Sequence, residues 1–153
     1  MGRVDMVISN AGWTKFANFY DLDQKVDEAV WDRCFFANVK SHLFLLHTAK
    51  ENLQNPNGAF VMTSSVAGVK AQRQLNSYSV TKAAQLHLCK LMAMAVAPSI
   101  RVSAVSPGFM DMNWIAEISQ ERINEVKDKT LLKTLINVGT LPSKACYWSG
   151  LDL

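Results

Sequence analysis

The sequence predicts an α/β chain: a partial parallel sheet of three strands with flanking helices. Short apolar, β-prone runs alternate with long helical segments in the order strand, helix, strand, helix, strand, the pattern of a parallel sheet covered by crossover helices. Each run also stops on a polar or turn-prone segment, "SNAG", "TSS" or "SPG", which places three strand ends along one rim. In open sheets of this kind ligands bind beyond the carboxyl ends of the strands.

The elements follow in order. "VDMVIS" is a short apolar strand closed by "NAG". From about Asp27 to Leu53, Trp31, Phe35, Asn38, Leu45, Ala49 and Leu53 recur at helical spacing and predict a long amphipathic helix, stopped by "NPNG". "AFVMTSS" is the second strand, followed by a small-residue loop through Gly68 to Asn76. A second helix is expected from about Ser77 to Ala97, ended by Pro98. "IRVSAVS" is the third strand, and Pro107 and Gly108 end it. From Phe109 a mobile loop is expected to lead into a charged helix, "SQERINEVKDKTLLKTLI". Residues 1–138 form the expected domain, and residues 139–153 an atypical tail.

Composition narrows the function classes. Hydrophobic residues make up 49% of the 153, so a packed core is expected. The 16 basic and 13 acidic side chains are scattered and form no stripe, which argues against a nucleic-acid surface. The start of the chain carries an acid at Asp5 and too short an apolar run for a signal peptide. The apolar run "LMAMAVA" is far short of the ~18 residues of a membrane span. A cytoplasmic protein with no membrane partner is the expectation. Cys34, Cys89 and Cys146 lack any C-x-x-C pairing and are expected as core thiols. His42, His47 and His87 have no second ligand at metal-site spacing, so no metal is expected, and they are taken as helix-surface or packing residues.

Four features carry chemistry. Tyr78 and Lys82 lie four apart on a helix, so they share a face. A cation beside a phenol favours its ionised form, which suits proton transfer near neutral pH. Ser65 ends the second strand 13 residues before Tyr78, where its hydroxyl either bonds the substrate oxygen or caps the loop. Asn38 lies on the inward stripe of the first helix, so its amide is either satisfied locally or holds a water. "NAG" and "SPG" offer small residues where a flat ligand can approach the backbone.

Together these segments resemble the short-chain dehydrogenase/reductase family, whose fold is a doubly wound, Rossmann-like sheet. "DMVISNAG" resembles the family's D-x-L-V-N-N-A-G, with Ser9 in place of the first Asn. "WDRCFFANVKS", "GAFVMTSSVAG", "YSVTK" and "IRVSAVSPG" resemble its W-x6-N-V, catalytic-serine, Y-x-x-x-K and R-V-N-A-V-x-P-G segments, over roughly residues 3–136. The resemblance implies hydride transfer between NAD or NADP, with NADP slightly favoured, and a small-molecule carbonyl or secondary alcohol. It implies that Tyr78 is the acid/base, Ser65 polarises the substrate oxygen, Lys82 lowers the tyrosine pKa and binds the nicotinamide ribose, and Asn38 holds a proton-relay water. Asn10, Ala11 and Gly12 would line the cofactor, and the backbone from Pro107 and Gly108 to Met110 would meet the nicotinamide amide. The two long helices would build a homo-oligomer interface. Trp114, Ile115 and Ile118 are candidates for a substrate lid.

The chain also departs from the family pattern. Its seven glycines include no G-x-G, so the glycine-rich pyrophosphate turn is absent and the match begins at the family's fourth strand. That leaves "VDMVIS" with a bare, apolar edge. Met112 stands where the family often has a cofactor-bonding Thr. Two expectations therefore stand together: an oxidoreductase, or a truncated, non-catalytic relative that associates with a complete homologue.

Overall fold

A computed structural model describes residues 3–18, 20–54, 58–71, 76–111, 119–130, 135–137 and 147–148. Strands β1 (Met6–Ser9), β2 (Gly58–Thr63) and β3 (Ile100–Ser106) lie side by side and parallel. The three expected strands are thus present in sequence order. Two further pairings were not foreseen. Strand β6 (Tyr147–Trp148) pairs antiparallel with the end of β3, and β4 (Met110–Asp111) pairs parallel with β5 (Ile136–Asn137) in a separate two-stranded ladder.

The first long helix is one run in three parts: α1 (Glu28–Phe35), a π-helical stretch (Phe36–Lys40) and α2 (Ser41–Leu53). Asp27 caps it, its carboxylate accepting from the Val30 N–H at 3.2 Å. The π turn closes each hydrogen-bonded ring over one extra residue, so it rotates everything downstream. The inward stripe is therefore Cys34, Asn38, His42, Leu46 and Leu53, all buried, while Leu45, expected inside, is 40% exposed. Helix α3 (Asn76–Val96) matches its expected span. The charged helix is shorter than expected: α4 covers Gln120–Lys129. There the Thr130 hydroxyl turns back to the Lys127 carbonyl at 2.8 Å, and Ile136 belongs to a strand. The lid candidates Trp114, Ile115 and Ile118, together with Met112, lie outside the described residues.

Helices α2 and α3 cover one face of the sheet. Phe60, Met62 and Ala104 from the strands meet Leu46 and Leu53 of α2 and Cys89 and Met92 of α3, with Val7 and Val102 packed around them. The register pairs Val7 with Phe60, and Met6 and Ile8 with Ala59 and Val61, so alternate residues point to opposite faces. On the second face Met6 and Ile8 are 54% and 64% exposed. β1 is also the last strand on its side among the described residues, as expected of its apolar edge. Cys34 and Cys89 are buried free thiols, and burial pushes the Cys89 thiol up to about 11. Cys146 lies outside the described residues. No helix among the described residues is long and apolar enough to cross a membrane.

Candidate active site

Because β1, β2 and β3 are parallel, their polar ends meet at one rim. After β2 the chain is tied to the end of β3: the Ser64 N–H donates to the Val105 carbonyl at 2.7 Å and the Val66 N–H to the Pro107 carbonyl at 3.0 Å. The Ser64 hydroxyl donates to the Lys82 carbonyl at 3.2 Å, which fixes α3 against the same rim. Gly68 completes this packing, since a Cβ there would lie 2.6 Å from the backbone carbon of Lys82. Pro107 is buried beneath the rim, and Gly108 and Met110 are half-buried beyond it.

After β1, Asn10, Ala11 and Gly12 are exposed along the rim. The loop is held by Asn38, whose side chain accepts from the Trp13 N–H at 2.7 Å and donates to the Trp13 carbonyl at 2.8 Å. The Asn38 amide also donates to Thr81 Oγ1 at 2.9 Å, joining the loop, the π turn and α3 at one buried point. Of the alternatives open for Asn38, local satisfaction is the one realised by its side chain. Arg33 stacks on the Trp13 ring 4.4 Å from its centroid and holds the loop from outside.

Tyr78, Lys82 and Ser65 come together where these segments meet. Lys82 is 3% exposed, and its ammonium donates to the Thr63 carbonyl at 2.8 Å and to Gln85 Oε1 at 3.0 Å. Nζ stands 5.4 Å from the centroid of the Tyr78 ring. A Cβ on Gly12 would lie 3.2 Å from Asn38 Oδ1 and 3.6 Å from this Nζ, so the bare glycine leaves the space in front of both groups open. Ser65 caps the short 3-10 turn Val66–Gly68, its hydroxyl accepting from the Ala67 N–H at 3.1 Å, and the same hydroxyl acts on the Tyr78 phenol in the direction that favours its ionised form.

The expected electrostatics need a correction. Lys82 was expected to lower the tyrosine pKa, yet that of Tyr78 is raised, chiefly by burial, with the Ser65 hydrogen bond opposing. The ammonium bonds a carbonyl and an amide rather than the phenol. Its own pKa is lowered to about 8 by burial, with Cys34 acting the other way.

Sequence reasoning missed the layer beneath. His42, expected at the surface or in packing, is completely buried in a polar chain. Its Nδ1 lies 2.5 Å from Ser9 Oγ and its Nε2 lies 2.9 Å from Gln85 Nε2. Gln85 Nε2 also donates to the Thr63 carbonyl at 3.3 Å. Burial, with the Lys82 charge adding to it, lowers the His42 pKa to about 4. The available signal was spacing: Gln85 is one turn beyond Lys82, and His42 one turn beyond Asn38. His47 and His87 are exposed, and no metal-binding group of His, Cys, Asp and Glu occurs among the described residues.

Comparison with known proteins completes the picture. A family model described as enoyl-(acyl carrier protein) reductase matches residues 1–147. The chain is 31% identical to tropinone reductase-like 3 of Erythroxylum coca and 33% identical to the short-chain dehydrogenase/reductase SDRA of Arabidopsis thaliana. Each match covers 99% of this chain, but only 58% and 59% of those two proteins. Among solved structures, NAD+-bound xylitol dehydrogenase shares the fold at a TM-score of 0.78 and 24% identity, over 92% of this chain and 60% of that one. The 3-oxoacyl-[acyl-carrier protein] reductase of Brucella melitensis superposes at a TM-score of 0.76 and 26% identity, over 87% of this chain and 51% of that one. With a parallel sheet, a Y-x-x-x-K pair on α3 and a matching family model, the chain belongs to the short-chain dehydrogenase/reductase family of Rossmann-fold oxidoreductases.

Proposed function

We propose that this chain carries the proton-transfer half of a nicotinamide-dependent oxidoreductase site acting on a carbonyl or secondary alcohol, with Tyr78 as acid/base. The meeting of Tyr78, Ser65 and Lys82 at the rim carries the reading. A buried phenol with a raised pKa keeps its proton at neutral pH, the state needed to protonate the oxygen of a carbonyl under reduction. Ser65, whose hydroxyl acts on the phenol, would orient that oxygen. An ammonium has three donors, and Lys82 has two bound to Thr63 and Gln85, which leaves one for a ligand hydroxyl. Both hydrogens of the Asn38 amide already have partners in Trp13 and Thr81, so a relay water at this residue would sit on its backbone.

The open space before Gly12 and the exposed backbone of Asn10 and Ala11 suit the nicotinamide end of NAD or NADP, with Pro107, Gly108 and Met110 across the rim. When bound, the dinucleotide supplies or accepts the hydride. NADP is the form slightly favoured by family resemblance.

These 153 residues hold no G-x-G, so a second reading is that by themselves they keep the proton-transfer groups without binding a dinucleotide tightly. Several lost phosphate hydrogen bonds at ~1.5–3 kcal/mol each would lower affinity by several powers of ten. Association with a homologue would then use Phe44 and Leu45 of α2 and Leu91 and Met94 of α3, all exposed. Isothermal titration of the 153-residue chain with NADH and NADPH separates the two. Submillimolar binding supports the enzyme, and a Tyr78→Phe variant inactive on a carbonyl panel would complete it. A folded chain that binds neither nucleotide overturns the enzymatic reading.

A further inference from the structure

We propose that Gln85, His42 and Ser9 form a directional hydrogen-bond chain that positions the Lys82 ammonium toward Tyr78 and Gly12. The inference deepens the reading of Lys82 as a site residue and rests on it. The direction follows from donor counting. An ammonium only donates, so Gln85 Oε1, 3.0 Å from Lys82 Nζ, is the amide oxygen. Gln85 Nε2 therefore carries the hydrogens, which go to the Thr63 carbonyl at 3.3 Å and to His42 Nε2 at 2.9 Å. That nitrogen must offer a lone pair, so the imidazole is neutral with its hydrogen on Nδ1. It donates to Ser9 Oγ at 2.5 Å. Each link fixes the next.

All four side chains are buried: His42 and Gln85 are 0% exposed, Lys82 3% and Ser9 4%. No alternative arrangement is open to water here. Flipping the Gln85 amide would face its hydrogens to the ammonium, and protonating His42 would face an N–H to the amide hydrogens. Either fault is passed along the chain to Lys82. With Thr63 and Gln85 fixing two of its donors, the third hydrogen is aimed toward Gly12 and the Tyr78 ring rather than left to rotate. The titratable groups acting here are Lys82 and Tyr78 of α3, His42 of α2 and Cys34 of α1.

The test is spectroscopic and needs no turnover. Long-range proton–nitrogen correlation of the ¹⁵N-histidine-labelled chain at pH 7 separates the three imidazoles, with His42→Gln assigning His42. The expected result is a neutral His42 with its hydrogen on Nδ1, unchanged to pH 5. A hydrogen on Nε2, or averaging between the two tautomers, overturns the proposal in the wild-type chain alone. Titration of Lys82 followed at its Cε carbon gives the second arm. Gln85→Leu removes an acceptor from the ammonium and should move its titration down by about one pH unit, while Gln85→Glu should move it up and place a hydrogen on His42 Nε2. Lys82 titrating alike in all three chains also overturns the proposal. If these responses appear and neither NADH nor NADPH binds, the proposed oxidoreductase function fails while the positioning chain stands.

Discussion

Helices α2 and α3 cover a single sheet face with two layers of opposite chemistry. Toward the lower ends of the helices, Leu46, Leu53, Cys89 and Met92 close on Phe60, Met62 and Ala104 in an apolar layer. One or two turns nearer the rim, α2, the π turn that precedes it and α3 bury Asn38, His42, Thr81, Lys82 and Gln85 with almost no exposure. The lower layer is held by non-directional burial, which tolerates many side chains of similar volume. In the upper layer each donor needs its acceptor, because an unmatched buried polar group costs about 1–3 kcal/mol. The contrast teaches that the core supplies stability, whereas the polar layer sets geometry and makes stability sensitive to pH.

The largest effect is expected in the apolar layer. Phe60 is completely buried between strand and helices, so Phe60→Ala should cost about 3–5 kcal/mol in urea unfolding. A loss below 1 kcal/mol would mean that the helices do not close on this face.

The polar layer should show itself through pH. His42 has a folded pKa of about 4 against 6.5 in the open chain. Between these values the unfolded chain takes a proton that the folded one refuses, so stability is complete above pH 6.5 and falls as the pH drops toward 4. At 1.36 kcal/mol per pH unit this amounts to about 3 kcal/mol. Lys82, at about 8 against 10.5, has the same sign in the alkaline range: the folded chain sheds its proton first, and stability rises from pH 8 to 10.5. Urea unfolding across pH should lose the acid slope in His42→Gln and the alkaline rise in Lys82→Met. Phe60→Ala should keep both slopes while lying lower throughout, which separates the layers directly.

A smaller loss is expected at the hinge between the layers. Asn38→Ala would orphan the Trp13 N–H and carbonyl and one partner of Thr81. Trp13 is only half-buried, so water can replace part of what is lost, and about 2 kcal/mol is expected. The loop carrying Asn10 to Gly12 should then exchange its amide hydrogens faster, without a matching change in β2.

The two layers were not equally legible in the sequence. The strands and α3 announced themselves by apolar runs and turn residues, and Tyr78, Ser65 and Lys82 by their spacing. Leu45 was misplaced because a π turn leaves no mark in periodicity, yet it rotates the helix so that Leu46 faces in. His42 and Gln85 escaped for a different reason. A single polar residue on a helix face looks the same whether it meets solvent or a partner 43 positions away, and their contact exists only once α2 and α3 are packed. The short pairings of β4 with β5 and β6 with β3 were hidden because two residues carry no period.

The smallest expected change in stability bears most directly on the site. A Cβ at Gly12 would stand 3.2 Å from Asn38 Oδ1 and 3.6 Å from Lys82 Nζ, close but not a clash with backbone. Gly12→Ala should therefore alter unfolding by less than about 1 kcal/mol, because an exposed loop can yield by a few tenths of an ångström. The added methyl group nevertheless occupies the space into which the third hydrogen of Lys82 is directed. If a ligand approaches there, NADH or NADPH affinity should fall at least tenfold while both pH slopes of the polar layer stay as in the wild-type chain. If affinity is unchanged, the ligand does not pass in front of Gly12, and the rim's open side must be sought nearer Pro107 and Gly108.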